Sequence, residues 1–201
     1  FRLKPPKAVA MRLIARLLAF LAAATLAAQP LAAQSILRDA ETEAFLDEIS
    51  APLIEAAGLE PDNVDIVLIN DPSINAFVAG GQAVYLHSGL IDAADSAEEV
   101  QGVIAHELGH ITGGHILRYG EGMAAASRIS LLSMIAGIGA ALAGAGDAAM
   151  GIMMAGQQAA MGNFLSFSRT QESSADFAGA QYLSDAGISG RGSLEFFGKL
   201  L

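Results

Sequence analysis

The segment 105–114 reads Ala-His-Glu-Leu-Gly-His-Ile-Thr-Gly-Gly and contains the pattern H-E-x-x-H at His106, Glu107 and His110. Residues four apart lie on one face of an α-helix, one turn above the other. In a helix, the two imidazoles can therefore bind the same metal ion, with the Glu107 carboxylate beside them to transfer protons. This spacing is typical of zinc proteases, although it also arises by chance on helices that carry two solvated histidines.

The surrounding sequence predicts the helix that this motif needs. Ser96 followed by Glu99 is a capping box, a pattern that starts many helices. Apolar residues follow at close to helical spacing, namely Val100, Val103, Ile104, Leu108 and Ile111. Gly113-Gly114 is expected to end the helix, as C-terminal glycines do.

The composition limits the chemistry that the chain can use. None of its 201 residues is Cys, which excludes disulfides, thiolate metal sites and a cysteine nucleophile. A transition metal must therefore be held by His and carboxylate side chains. The length suffices for one domain with a substantial core, and 53% of the residues are hydrophobic.

The first 33 residues have the layout of a targeting segment. Residues 11–16 are short and basic, an apolar run follows at 17–28, and small residues lead to Ala33. This order predicts a secretory signal peptide that starts at Met11 and is cleaved after Ala33, with an uncleaved membrane anchor as the alternative. The chain is thus divided into upstream residues plus signal peptide (1–33) and one domain (34–201).

The two parts differ in charge. Residues 1–33 hold five of the 11 basic residues and no acid, so residues 34–201 carry six basic and 21 acidic residues, a net charge of −15. A domain this acidic would repel a phosphate backbone, and we expect no nucleic acid partner.

Residues before the motif predict a helix and a small sheet. Residues 34–57 carry a helical apolar stripe that Pro52 is expected to divide or kink. Residues 64–69 predict a strand, and residues 75–87 predict a β-hairpin around Gly80-Gly81. His87, in the second hairpin strand, is expected to be a solvent-facing or hydrogen-bonded residue rather than a metal ligand.

Residues 129–168 form a long apolar stretch whose only charged residue is Asp147. Residues 129–146 approach the length of a membrane span, but their four glycines and two serines weaken that interpretation. We expect a flexible apolar hairpin, a mobile cover over the active site that meets apolar substrate or membrane. A fully buried helix pair is the alternative.

A second motif follows this stretch. Ser168 and Gln171 form another capping box and predict a helix start there. Glu172 and Asp176 share a face of that helix. Two such acids are usually only solvated, but a zinc site with two His ligands needs a third protein ligand and a carboxylate that orients an imidazole. His115 is a weak candidate for the third ligand, because on a continued helix it would lie about 140° around the axis from His110.

Together, these segments resemble the zinc metallopeptidase family of the heat-shock peptidase HtpX and the CAAX prenyl endopeptidase. The resemblance is strongest to the exported branch that includes the β-barrel assembly-enhancing protease. The matching segments, in the order of the family, are Asn75-Ala76-Phe77, Gly80-Gly81, Val84-Tyr85, Gly89-Leu90, H-E-x-x-H-x-x-G-x-H at 106–115 and R-x-x-E-x-x-A-D at 169–176.

The resemblance implies an α+β, zincin-like (gluzincin) domain that is mostly helical with a small β-hairpin or sheet. It implies one Zn²⁺ per chain, held by His106, His110 and Glu172, with Glu107 as the general base. By analogy with the gluzincins, Asp176 is expected to hydrogen-bond His106 and set its tautomer.

The expected substrate-binding segment is the hairpin edge at Asn75, Ala76 and Phe77, where an extended polypeptide can add as a strand. The gluzincins also need a downstream His or Tyr that stabilises the oxyanion, and Tyr182 is the only such residue after Asp176.

The expected function is a zinc-dependent endopeptidase of the cell envelope that cleaves unfolded or misassembled exported or membrane proteins. We expect it in the periplasm after signal cleavage, with contacts to a membrane surface or assembly machinery. A non-catalytic chaperone or outer-membrane assembly scaffold built on the same domain is the alternative, and a membrane-embedded peptidase is a third.

Two features depart from the family. HtpX-like relatives have several membrane spans, and exported relatives usually continue past a point like Leu201, so we expect a catalytic domain cut short at its C-terminal end.

Overall fold

The computed structural model describes residues 35–200, and the predicted signal peptide and its cleavage site lie outside the described residues. The elements in chain order are β1 (Ser35–Ile36), α1 (Ala40–Ala56), a 3₁₀ turn (Pro61–Asn63), β2 (Asp65–Asn70), β3 (Ala76–Ala79), β4 (Ala83–His87), α2 (Ser88–Ala93), α3 (Ala97–Thr112), α4 (His115–Leu142), α5 (Gly146–Asp185) and α6 (Arg191–Lys199). The predicted fold class, mostly helical with a small sheet, is confirmed.

The sheet is small and has the order β1-β2-β4-β3. β2 and β4 are parallel, and β3 pairs antiparallel with β4 as the predicted hairpin. Its turn contains Gly80 and Gly81 at φ values of 64° and 109°, a conformation that side-chain-bearing residues rarely adopt. Because β3 comes last in the strand order, it is an edge strand of this sheet. It lies against α3.

The core lies between the sheet, α1 and α3. Its fully buried side chains include Leu46, Leu53, Ile54, Val84, Leu86, Leu90, Ile104, Leu108 and Phe196. α1 continues through Pro52, so the proline does not divide the helix, and the kink stays a prediction. Leu46 and Leu53 are buried on either side of the proline, and this burial stabilises the helix against the missing N–H donor.

α3, the helix of the H-E-x-x-H motif, begins and ends where the sequence predicts. The Ser96 hydroxyl accepts a hydrogen bond from the Glu99 amide at 3.3 Å and caps the N-terminus. At the other end Gly114 has a φ of 62°, which stops α3 and lets α4 begin at once at His115. The two glycines thus join two helices instead of leading into a loop.

α4 and α5 form a long helical hairpin across the apolar stretch. α5 is one helix of 40 residues from Gly146, so the helix start predicted at Ser168 is wrong. A capping pattern starts a helix only where the chain before it is not helical, and here the preceding turns pack on α4.

The hairpin is not the fully buried helix pair considered as an alternative. Between Gly122 and Ala160 its buried residues are all small, namely Gly122, Gly137, Ala149, Gly156 and Ala160. Many of its large apolar side chains are exposed, among them Leu132 at 67%, Leu142 at 85% and Met154 at 63%. The helices approach closely where they lack side chains: a Cβ atom at Gly156 would lie 2.0 Å from the Ser133 Cβ.

Candidate metal centre

Two helices far apart in the sequence bring the predicted ligands together. His106 and His110 lie one turn apart on α3, and Glu172 faces them from α5. The Nε2 atoms of the two imidazoles are 3.1 Å apart. The Glu172 Oε2 atom lies 3.5 Å from the first of these nitrogens and 3.6 Å from the second.

These separations fit a tetrahedral metal ion. Nitrogen and oxygen ligands at about 2.1 Å from such an ion lie about 3.4 Å from one another. Within the described residues, His106, His110 and Glu172 are the group of metal-binding side chains whose ligand atoms meet within 4.8 Å. The donor set of two imidazoles and one carboxylate is one that divalent transition metals accept.

Asp176 occupies the place expected for a carboxylate that orients an imidazole. Its Oδ1 atom is 2.8 Å from the Nδ1 atom of His106, on the ring edge opposite the candidate metal position. An Nδ1–H group that donates to this carboxylate leaves a lone pair on Nε2. The bond therefore favours the tautomer of His106 that can bind a metal.

Glu107 and His110 have electrostatic environments that suit the predicted roles. Glu107 is 7% exposed. Burial, together with the nearby Glu172 carboxylate, raises the pKa of Glu107 to about 7, the range in which a carboxylate both takes and returns protons. Burial, with a smaller contribution from the His106 ring, lowers the pKa of His110 and favours the neutral imidazole that a ligand requires.

His115, a weak ligand candidate from the sequence, lies behind His110 instead of beside the candidate metal position. Its Nδ1 atom is 2.9 Å from the Nδ1 atom of His110, and its Nε2 atom is 2.9 Å from the Ser174 hydroxyl. The angle of about 140° applies only to a continued α3, so it does not describe this contact. The signal that was present is the Gly113-Gly114 pair, which starts a new helix at His115.

The metal centre lies at one side of a cleft of ≈ 430 Å³. The lining also includes the predicted substrate-binding residues Asn75, Ala76 and Phe77, and α6 contributes Phe196 and Phe197. The Phe77 ring stacks on Tyr85 with a centroid distance of 5.0 Å. An edge strand thus runs along the cleft that contains Glu107.

The apolar stretch does not have the position predicted for a cover. No residue of 129–168 belongs to the described lining of the cleft, and Glu172 is the only contribution of the helical hairpin to it. The reason is that α4 and α5 pack on each other, and α5 approaches α3 closely at Ala175 and Gly179, near its C-terminal end.

Two other aromatic residues lie outside the centre. His87 is only 3% exposed, and its Nδ1 atom is 2.8 Å from the Ser73 hydroxyl, so it is not solvent-facing and is not a ligand of this site. Tyr182 does not line the cleft, and its hydroxyl is 2.7 Å from the Thr112 hydroxyl.

Comparison with known proteins agrees with this geometry. The family model described as peptidase family M48 matches residues 40–201, which include both helices of the metal centre. The chain belongs to peptidase family M48. Members of this family are zincin-like metallopeptidases, and the resemblance found in the sequence is confirmed.

Named relatives come from three groups. The beta-barrel assembly-enhancing protease of Escherichia coli is 30% identical over 78% of this chain and 32% of its own length. The metalloprotease LoiP of the same organism is 31% identical over 70% of this chain and 52% of its own length. A protease HtpX homolog of Streptococcus mutans is 40% identical over 36% of this chain. The chain spans about a third of the length of the assembly-enhancing proteases it matches.

Proposed function

We propose that the protein is a zinc-dependent endopeptidase of the cell envelope that cleaves unfolded or misassembled exported or membrane proteins. The observation that carries the proposal is the convergence of His106, His110 and Glu172, with buried Glu107 beside them, in a cleft that an edge strand borders. Family membership supports the metallopeptidase chemistry.

Zinc is the metal that we propose for this centre, one ion per chain. Three protein ligands with a free fourth position are the arrangement of catalytic zinc sites, and two histidines with one glutamate are a known set for such enzymes. Zinc bound there would polarise the peptide carbonyl and make the attacking water acidic.

Glu107 is the proposed general base and acid. Its carboxylate accepts the proton of the attacking water and then donates that proton to the amine nitrogen of the leaving peptide. The raised pKa of Glu107 suits this double role. Asp176 supports the reaction indirectly, by accepting from His106 Nδ1–H and holding that ring in place.

The proposed substrate is an extended polypeptide. β3 is an edge strand, and Asn75, Ala76 and Phe77 line the same cleft as Glu107. A substrate backbone can pair with such an edge, provided that the substrate segment is unfolded. We therefore expect a preference for unfolded or misassembled chains over compact proteins.

A membrane surface is a proposed partner, together with the assembly machinery. Within the described residues, α4 is the one helix that is long and apolar enough to cross a membrane, and 6% of its most apolar window is buried. A helix this exposed is not a core helix. Its apolar side chains would be more stable against lipid than against water. The name of the assembly-enhancing relatives is consistent with a location in the envelope.

Hydrolysis of casein tests the proposed chemistry. The purified chain should contain one zinc per molecule and cleave casein, an unfolded substrate, at a much higher rate than a folded protein such as lysozyme. Chelation should abolish cleavage, and stoichiometric zinc should restore it. A zinc-loaded chain that binds casein without cleaving it would instead support the alternative, a non-catalytic chaperone or assembly scaffold.

Fractionation of expressing cells tests the proposed location. A product that begins near Gln34 and appears in the periplasm, or on membranes from which carbonate releases it, agrees with the proposal. A product that still contains Met11 and resists carbonate would favour the anchor or the membrane-embedded peptidase.

A further inference from the structure

The second metal-binding imidazole, His110, has a polar partner that differs from that of the first. The Nδ1 atom of His106 meets the Asp176 carboxylate, whereas the Nδ1 atom of His110 meets the ring of His115 at 2.9 Å. His115 is 5% exposed, and its ring crosses that of His110 edge to face with a centroid distance of 4.9 Å. His115 is thus a buried polar residue that touches a ligand but not the metal position.

Two glycines before His115 make this contact sterically feasible. The left-handed φ of 62° at Gly114 turns the chain, so that α4 begins at His115 and the ring folds back towards α3. A Cβ atom on Gly113 would lie 2.4 Å from the Nε2 atom of His115, a distance that real contacts do not reach. Gly113 therefore provides the space that the His115 ring occupies.

The hydrogen bonds continue from His115 to a backbone carbonyl. The Nε2 atom of His115 is 2.9 Å from the Ser174 hydroxyl. This hydroxyl in turn donates to the carbonyl oxygen of Gln171 at 2.9 Å. A carbonyl oxygen only accepts, so the chain of bonds has an acceptor at its far end.

The order of donors along this chain fixes the tautomer of His110. With the Ser174 hydrogen directed to the carbonyl, His115 donates from Nε2–H to Ser174 and accepts at Nδ1. His110 then donates from Nδ1–H, and its Nε2 atom keeps the lone pair that faces His106 and Glu172. The reverse order would place a hydrogen on the Nε2 atom of His110, where the metal has to bind.

We propose that His115, supported by Ser174, is a positioning residue that holds His110 in the metal-binding tautomer and orientation. The inference rests on the proposed function, since it presumes that His110 is a metal ligand. His115 has no contact with substrate in this role. It does for His110 what Asp176 does for His106, but with a neutral acceptor, so that the centre gains no further negative charge. Removal of such outer partners typically costs about 10–100-fold in metal affinity.

Zinc affinity measured by competition with a chelating dye tests the proposal on the full chain. His115→Leu fills the space without an acceptor and should weaken zinc binding about 10–100-fold. His115→Asn keeps a short side chain with an amide oxygen that can accept from His110, and it should recover part of the loss. Ser174→Ala should give a smaller decrease, and the exposed Ser173 provides the control variant Ser173→Ala, which should bind zinc as the wild type does.

Two further measurements separate positioning from folding. The thermal midpoints of the metal-free variants report on stability, and nitrogen chemical shifts of the zinc-loaded protein report which ring nitrogen of His110 carries the hydrogen. We expect Nδ1–H in the wild type. Unchanged zinc affinity in His115→Leu, or no difference between the Leu and Asn variants, would overturn the inference alone. A wild type that binds no zinc would overturn the proposed function and the inference with it.

Discussion

Gly109 on α3 packs directly against the backbone of Ala175 on α5. A Cβ atom at position 109 would lie 2.6 Å from the Ala175 carbonyl oxygen and 2.8 Å from its Cα atom. Gly109 precedes the ligand His110, and Ala175 is fully buried three residues after Glu172. The missing side chain at Gly109 therefore sets how closely Glu172 approaches the two histidines.

Gly109→Ala should consequently separate the two helices at the metal centre. Overpacking of this kind typically costs about 1–3 kcal/mol of stability, and the displaced carboxylate should weaken zinc binding. Gly120→Ala on α4 is the matched control, since a Cβ atom there meets nothing within 4 Å. Thermal unfolding and dye competition measure the two effects. Equal stability and zinc affinity for the two variants would show that the close approach is unimportant.

Glu172→Gln tests the third ligand. A neutral amide is a poor ligand for zinc, so this variant should lose zinc at concentrations that saturate the wild type. Glu121→Gln removes a carboxylate from the same helical hairpin, where the side chain is 71% exposed and pairs with Arg118 at 3.8 Å, and should bind zinc normally. Full zinc retention in Glu172→Gln, measured by elemental analysis after dialysis, would show that another group completes the site.

A cluster of charges fastens α6 to the start of α3. The Lys199 ammonium lies 2.6 Å from the Asp95 carboxylate and 2.7 Å from that of Glu99, which is 2% exposed. The hydrogen bond from Lys199, then that from the Asp95 amide, lowers the pKa of Glu99 below its ordinary value of 4.5. The contacts with Asp95 and Glu99 raise the pKa of Lys199.

The lowered pKa of Glu99 predicts how stability depends on pH. The unfolded chain takes up the proton at a higher pH than the folded chain does. The stabilisation is therefore fully present above pH 4.5 and is lost as the pH falls through the lower folded-state pKa. Lys199→Met should lower the thermal midpoint at pH 7 and flatten its decline below pH 4.5. If the midpoints of wild type and variant fall in parallel on acidification, the cluster does not contribute.

The local elements of the centre were predictable, because their signals lie within a few residues of one another. Ser96 caps α3, and the glycines at 113 and 114 end it, so both histidines were correctly placed on one helical face. Gly80 and Gly81 likewise predicted the hairpin whose edge borders the cleft. In each case, backbone geometry over a short segment decides the structure, and sequence patterns report it well.

Features that depend on packing between distant segments were not predictable in this way. The shared helix face of Glu172 and Asp176 made them candidates, but nothing local places Glu172 opposite His106, and its assignment as the third ligand came from the family resemblance. The capping pattern at Ser168 predicted a boundary that packing on α4 removes. His115 lies away from the metal position, as expected, but its contact with His110 depends on the turn at Gly114, which a continued α3 does not describe. His87 is buried by elements that its own strand pattern does not reveal.

The proposed mechanism requires that Glu107 act as base and acid without binding the metal. Glu107→Gln keeps the size of the side chain but removes its capacity to accept a proton. Glu98→Gln, on an exposed position of the same helix, is the control. Metal content has to be measured on the same samples, so that loss of zinc is not mistaken for loss of catalysis.

The rate of casein cleavage by zinc-loaded Glu107→Gln tests the role of Glu107 as general base. We expect one zinc per chain in this variant and a cleavage rate at least about 10²-fold below that of the wild type, the usual contribution of a general base. The control Glu98→Gln should cleave at the wild-type rate. Cleavage by Glu107→Gln at the wild-type rate, above that of a mock purification, would contradict the account.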